Sequence, residues 1–182
     1  MGKRRYDPER PQRIVDAAIR VVARDGIAGL SHRRVAAEAD VPLGSTTYHF
    51  ASRDDLLEVA LRQVTKEWLA EVDRWEQSVD PAVPLADELL RLVEESLFGD
   101  RKRAELEYEL YLAALNHAAL QPLAAECLDS LTATLRRRVA DDASARALTA
   151  LLDGLMLQIL LTGRPLDRDA MREALARITG DA

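Results

Sequence analysis

The chain has 182 residues, 48% of them hydrophobic, and no uninterrupted apolar run approaches the roughly 20 residues that cross a membrane, so no membrane anchor is predicted. Its single cysteine, Cys127, excludes an internal disulfide and fits the reducing cytoplasm. The net charge of −6 is unevenly distributed, since residues 1–53 carry ten Lys and Arg against six Asp and Glu while the remainder carries fifteen against twenty-five, which joins a basic end to an acidic body.

The first 53 residues predict three short helices. The first begins at Pro11, a favoured first-turn residue, and ends at Gly26. Its buried stripe has helical spacing and consists of Ile14, Ala17, Ala18, Val21 and Val22. Ser31 is a natural N-cap for the second helix, over 32–39. After a break at Asp40-Val41, Pro42 begins the third, which ends at Phe50.

The rest of the chain also follows helical periodicity, and nothing alternates like a strand. Ser52 caps a long fourth helix that ends before Pro81. Five more helices are predicted over 85–98, 104–117, 120–139, 145–162 and 167–178. The predicted fold is therefore all-α, with about nine helices and short connections.

The second and third helices have the size and the tight turn of a helix-turn-helix. Val35, Ala36 and Ala39 are predicted to face inward, and Thr46 is read as a core residue rather than a contact. The outer face of the third helix then keeps Leu43, Gly44, Ser45, Thr47 and Tyr48. Small side chains let a helix enter the DNA major groove, where hydroxyls bond phosphates or base edges. An ordinary buried helix is disfavoured, because its hydroxyls would need buried partners.

The stretch LSHRRVAAEADVPLGSTTYHFASRDDLL, residues 30–57, resembles the DNA-binding region of the TetR family of bacterial transcriptional regulators. The residues that carry the resemblance are Gly44, Tyr48, His49 and Phe50, followed by Ser52, Arg53, Asp54, Asp55 and Leu57. Asp40 replaces the usual turn glycine, and we expect the turn to survive because aspartate tolerates positive φ. Thr46 and Thr47 replace an aliphatic residue and a tyrosine, which suggests an individual operator preference.

The resemblance implies contacts with double-stranded operator DNA. They comprise a guanine contact from Arg33, groove contacts from the third helix, phosphate contacts near the helix ends and a mobile N-terminal arm. The implied set is Arg4, Arg5, Ser31, His32, Arg33, Leu43, Gly44, Ser45, Thr47, Tyr48, His49 and Arg53. For three positions an alternative stays open: Ser31 as a helix cap, His49 as packing under Phe50, and the Arg4-Arg5 pair as solubilising charge.

A DNA-binding domain is thus predicted over 1–53, and a dimerisation and effector-binding domain over 54–182. The helix over 145–162 is apolar on more than one face, which indicates a partner subunit, and Gly154 permits close approach. The predicted dimer contacts are Leu148, Leu151, Leu152, Leu155, Ile159, Met171 and Leu175. The alternative is a central core helix with no role in the dimer.

A small apolar effector is expected to bind where large aromatic side chains meet a few polar groups. The candidate residues are Trp68, Trp75, Tyr108, Tyr111, Leu112, Asn116, His117 and Asp153. Trp and Tyr at helical spacing are equally compatible with a protein core. The alternating glutamates at 105, 107 and 109 are interpreted as a solvated face.

The sequence predicts a cytoplasmic homodimeric repressor that binds a palindromic operator with recognition helices about 34–36 Å apart. A small effector would release it from DNA. No catalytic motif, metal-ligand spacing or cofactor loop is found, so no enzyme, metal or cofactor is predicted. Two alternatives remain: a DNA-binding dimer without a ligand, and a small helical enzyme with a vestigial DNA element.

Overall fold

The computed structural model describes residues 7–181, and within that range nine α-helices and two short 3-10 turns are joined by brief connections. They are α1 (Arg10–Gly29), α2 (His32–Glu38), α3 (Leu43–His49), α4 (Arg53–Ser78), α5 (Leu85–Phe98), α6 (Arg101–Leu112), α7 (Gln121–Arg136), α8 (Asp142–Thr162) and α9 (Arg168–Thr179). The described residues contain no β-strand. The all-α prediction is confirmed.

The chain packs as two units, and the first comprises the residues up to Val64 together with Glu109–Gln121. Within it, α1 packs on α2 and α3, with the predicted α1 stripe fully buried. The unit extends past residue 53, where the sequence placed the boundary. Leu56, Leu57 and Leu61 of α4 are almost completely buried, so the first turns of that helix belong to the core of this unit.

The second unit comprises Thr65–Tyr108 and the residues from Pro122 onward. In it α5 packs against α8 and α9, around a core that includes Leu89, Leu135, Leu148 and Leu175. α8 is long and apolar enough to cross a membrane by length and composition alone. Seven of its side chains are buried, six of them in this hydrophobic core, which identifies it as a core helix.

Two helix ends differ from the sequence prediction. Gly26, with φ of 70° and ψ of 172°, bends α1 rather than ending it, and one helical turn follows the bend. α6 ends at Leu112 instead of continuing to residue 117. The N–H groups of Asn116 and His117 both donate to the Ala113 carbonyl, and His117 is extended, so the backbone tightens into 3-10 turns there.

Candidate functional site

The turn between α2 and α3 has the geometry that the sequence predicts. The Ser31 hydroxyl caps α2 by accepting a hydrogen bond from the Arg34 N–H at 3.3 Å. Asp40 adopts a φ of 52°, the left-handed conformation expected at this position. The Val41 N–H then donates to the Ala36 carbonyl at 3.0 Å, which closes the turn. These bonds fix the direction in which α3 leaves α2.

The outer face of α3 is open. Thr46 is completely buried, as predicted, and its hydroxyl donates to the Leu43 carbonyl at 2.8 Å. Tyr48 is 84% exposed, and Thr47 is also exposed. A Cβ added to Gly44 would meet no heavy atom within 4 Å. α3 therefore presents an exposed surface that bears hydroxyl groups, and no side chain projects from it at Gly44.

On α2, Arg33 is exposed and His32 is not available for DNA in this conformation. Both ring nitrogens of His32 are enclosed by protein and have no hydrogen-bond partner among the described residues. This differs from the predicted backbone contact, because a phosphate cannot reach a buried nitrogen. Ser31 serves as a helix cap. Arg4 and Arg5 lie outside the described residues.

Arg53 has a protein partner. Its Nη2 donates to the Ile27 carbonyl at 2.6 Å, within the first unit. The start of α4 is fixed beside it, since Ser52 and Asp55 exchange hydrogen bonds of 2.7 and 3.0 Å. The Ser52 hydroxyl, joined by the backbone N–H groups of Ser52 and Ala51, donates to the Asp55 carboxylate and holds its pKa below the ordinary value. The resemblance implies a phosphate contact from Arg53, whereas in this structure its guanidinium bonds the Ile27 carbonyl.

Ion pairs engage several arginines of α1 and α2 in the first unit. Glu38 of α2 pairs with Arg20 at 2.8 Å and Arg24 at 2.9 Å, and Asp25 approaches Arg24 and Arg34. The hydrogen bonds from Arg20 and Arg24 lower the pKa of Glu38. Counting charges along the sequence misses this, because residues 18 positions apart reveal their pairing only after folding. These pairs join α1 to α2 and support the recognition surface.

The predicted effector residues are divided between the two units. Tyr111, Leu112, Asn116 and His117 belong to the first unit, where His117 Nδ1 lies 3.5 Å from Asp54 Oδ1. The other four belong to the second. There, Trp75 is buried and its indole N–H donates to the Glu88 carbonyl at 3.1 Å, so it serves the core. Trp68 is partly buried against the same core.

Two carboxylates of the second unit are held away from water. The Tyr108 hydroxyl donates to Asp153 at 3.0 Å, and burial raises the pKa of Asp153 despite that bond. Burial raises the pKa of Glu107 to about 7. The hydrogen bond and charge of Arg103 lower this pKa, and the negative charges of Glu71 and Glu67 raise it. The interpretation of residue 107 as solvated is therefore wrong, since an alternating pattern on a helix turns successive glutamates toward different surroundings.

A cavity of about 180 Å³ adjoins Glu107 in the second unit. It is lined by Glu71, Glu95, Ser96, Asp100, Arg103, Ala104 and Glu107. Glu107 and Asp153 also act on the same thiol, that of Cys127. Burial is the main cause that raises the pKa of Cys127 to about 12, and the charges of Asp153 and Glu107 raise it further. Four of the seven residues that line the cavity are acidic, and one is an arginine.

Most of the predicted dimer contacts are internal. Leu148, Leu152, Leu155, Ile159 and Leu175 are buried in the core of the protomer. A charge at Leu152 or Leu155 would test folding rather than assembly, since a buried unpaired charge is strongly destabilising. Leu151 and Met171 pack only partly against that core and remain available to a partner.

An exposed recognition helix on a helix-turn-helix head, with an all-helical body, defines a DNA-binding transcriptional regulator. The family model described as "Bacterial regulatory proteins, tetR family" matches residues 14–60. A second family model, described as "Tetracyclin repressor-like, C-terminal domain", matches residues 80–181. The chain belongs to the TetR family of transcriptional regulators, which are not enzymes.

Similar proteins cover nearly the whole chain. Structures of the multidrug binding protein EbrR with imidazole and with ethidium are 58% and 57% identical and have TM-scores of 0.86 and 0.85. They cover 94% and 95% of this chain, and 96% and 99% of theirs. The HTH-type nicotine-responsive transcriptional repressor HdnoR of Paenarthrobacter nicotinovorans is 26% identical over 161 residues, covering 82% of this chain and 83% of that protein. The HTH-type transcriptional regulator BetI of Burkholderia mallei (strain NCTC 10229) is 29% identical over 173 residues, covering 88% and 87%.

Proposed function

We propose that the protein is a cytoplasmic homodimeric repressor whose two α3 helices read a palindromic operator. The observation that carries this proposal is the open outer face of α3, where a Cβ at Gly44 would meet no heavy atom within 4 Å and Thr47 and Tyr48 are exposed. A two-fold dimer presents this surface twice, so its operator repeats after about one turn of DNA, roughly 34–36 Å.

Selection of bound sequences from random duplex DNA at low salt tests this proposal. We expect an inverted repeat whose half-sites are about 10 base pairs apart or a multiple of that distance. Recovery of sequences without two-fold symmetry, or no enrichment at all, would contradict the operator model.

The outward stripe of α8 supports the dimer. Ala147, Leu151, Gly154, Gln158 and Leu161 recur at helical spacing and are exposed or only partly buried. Leu161 is 77% exposed, and a Cβ on Gly154 would meet nothing within 4 Å. An apolar stripe with a small residue at its centre allows a second helix to approach closely.

Replacing Gly154 with leucine should give a folded monomer with reduced operator affinity. The site is open within the protomer, and glycine is about 0.8–1 kcal/mol less favourable in a helix than alanine, next to which leucine ranks. Stability should therefore not fall. The added side chain would obstruct only a partner. Light scattering measures the mass, and Ala133→Leu, at an exposed position of α7, introduces the same side chain as a control. An intact Gly154→Leu dimer would remove α8 from the interface.

The effector that the second unit suits best is a lipophilic cation. Burial raises the pKa values of Glu107 and Asp153, and a cation beside them would favour their ionised forms. At Glu107 such a cation would compete with Arg103, whose Nε lies 2.9 Å from the carboxylate. Tyr108 and Trp68 supply partly buried aromatic surface. EbrR, which is 57% identical to this chain, is described as a multidrug binding protein complexed with ethidium, an organic cation.

The cavity beside Glu107 is smaller than the roughly 300–1,000 Å³ of typical ligand pockets, so binding an aromatic cation would require the helices around it to move apart. That movement is what would couple effector binding to DNA release, since a ligand shifts only an equilibrium whose states it binds differently. A repressor without a ligand is the alternative, and ethidium titration followed by fluorescence distinguishes the two.

A further inference from the structure

Both backbone polar groups of Ile27 are held by charged side chains from other helices. The Ile27 N–H donates to Glu109 Oε1 of α6 at 2.7 Å. The Ile27 carbonyl accepts from Arg53 Nη2 of α4 at 2.6 Å. All three residues belong to the first unit. Hydrogen bonds to ionised groups are stronger than neutral ones, so this arrangement fixes the position of one peptide segment.

The bend that precedes Ile27 is shaped to fit Glu109. Gly26 has a φ of 70°, a conformation that other residues rarely adopt. An ideal Cβ on Gly26 would also lie 3.2 Å from Glu109 Oε1, closer than an ordinary contact. The glycine therefore provides both the bend and the space for the carboxylate.

The position of Ile27 is transmitted directly to the DNA-reading helices. Its carbonyl also accepts from the Leu30 N–H at 3.1 Å, which closes the turn into Ser31, the cap of α2. α2 in turn fixes α3 through the bond from Val41 to Ala36. A shift at Ile27 would therefore move the recognition surface.

We propose that Glu109 and Arg53 form a clamp on Ile27 that positions α2 and α3 and makes operator affinity depend on α6. The link to an effector rests on the proposed function, because it assumes that a cation acts at Glu107, two residues before Glu109 on the same helix. Glu109 and Arg53 are positioning residues in this mechanism, and neither needs to touch DNA.

The first test uses full-length protein and an operator selected from random DNA. Glu109→Ala and Arg53→Ala should each weaken operator binding about tenfold, as expected for a lost charged hydrogen bond. The double variant should be no weaker than either single variant, because both act through one segment. Glu109→Gln keeps an accepting oxygen and should restore affinity. Glu105→Ala removes an exposed charge from the same helix and serves as the control.

Salt dependence separates the clamp from a phosphate contact. The slope of operator affinity against salt should be unchanged in Arg53→Ala, whereas loss of a phosphate contact lowers it by about one. A lower slope, or additive losses in the double variant, would overturn the clamp. Glu109 is exposed, so alanine leaves the core intact, and circular dichroism confirms folding of each variant.

Ethidium then tests the link to α6. In the wild type, saturating dye should lower operator affinity, typically about 5–150-fold for coupled sites. Glu109→Ala should bind dye with unchanged affinity but lose that response. A full response in this variant would overturn the link. If dye does not affect the wild type, the proposed effector function fails, and the non-additivity of Glu109→Ala and Arg53→Ala still decides whether the clamp exists.

Discussion

Replacing Gly44 with glutamate should abolish specific operator binding while the protein stays folded. No heavy atom lies within 4 Å of a Cβ at this position, so the fold accommodates the side chain. In the major groove the same side chain would add bulk to the outer face of α3 and place a negative charge among phosphates. Operator titration by fluorescence anisotropy, with circular dichroism on the same samples, measures both properties.

Thr47→Ala is the matched variant on the same face. It removes one hydroxyl and one methyl from an exposed residue of α3, so it should relax preference at one or two base pairs. A lost base contact costs about 1–3 kcal/mol. If Gly44→Glu binds the selected operator normally, or Thr47→Ala weakens all sequences equally, the outer face of α3 is not the reading surface.

The sequence was sufficient to predict the fold class and the helix-turn-helix formed by α2 and α3, because these depend on local signals. Periodicity, Ser31 as a cap and the break at Asp40 specify α2 and α3 within about 20 residues. The inward position of Thr46 was indicated by the resemblance, in which that position is usually aliphatic. Helical pattern also located α8, although it did not distinguish burial in the protomer from burial in a dimer, since both need apolar residues.

The interactions around Ile27 and Glu107 were beyond sequence reasoning for a physical reason. Glu109 meets Ile27 across 82 positions, and Tyr108 meets Asp153 across 45. A charged residue on a helix is ordinarily solvated, and only the packing of distant helices decides which one is enclosed. The burial of Glu107 therefore has no signature in the local pattern.

Glu107→Gln should weaken ethidium binding about 10–150-fold at pH 8, which corresponds to a charged contact of about 1.5–3 kcal/mol. The charge of ethidium does not change near neutral pH, whereas the pKa of Glu107 is about 7 because burial disfavours its carboxylate. Wild-type affinity should therefore rise as the pH increases from 6 to 8, and the glutamine variant should lose most of that dependence. Glu105→Gln, an exposed neighbour, should behave as the wild type.

Stability provides an independent check on Glu107 without any dye. A folded pKa raised from 4.5 to about 7 means that the folded state holds the proton more tightly. The resulting stability is fully present below pH 4.5 and is lost as the pH rises through 7, a change of about 3 kcal/mol. Glutamine stays neutral throughout, so urea unfolding should find Glu107→Gln more stable than the wild type at pH 8 and equal to it at pH 4. Equal stability at both pH values would show that Glu107 is solvated, and the cation site would then have lost its principal carboxylate.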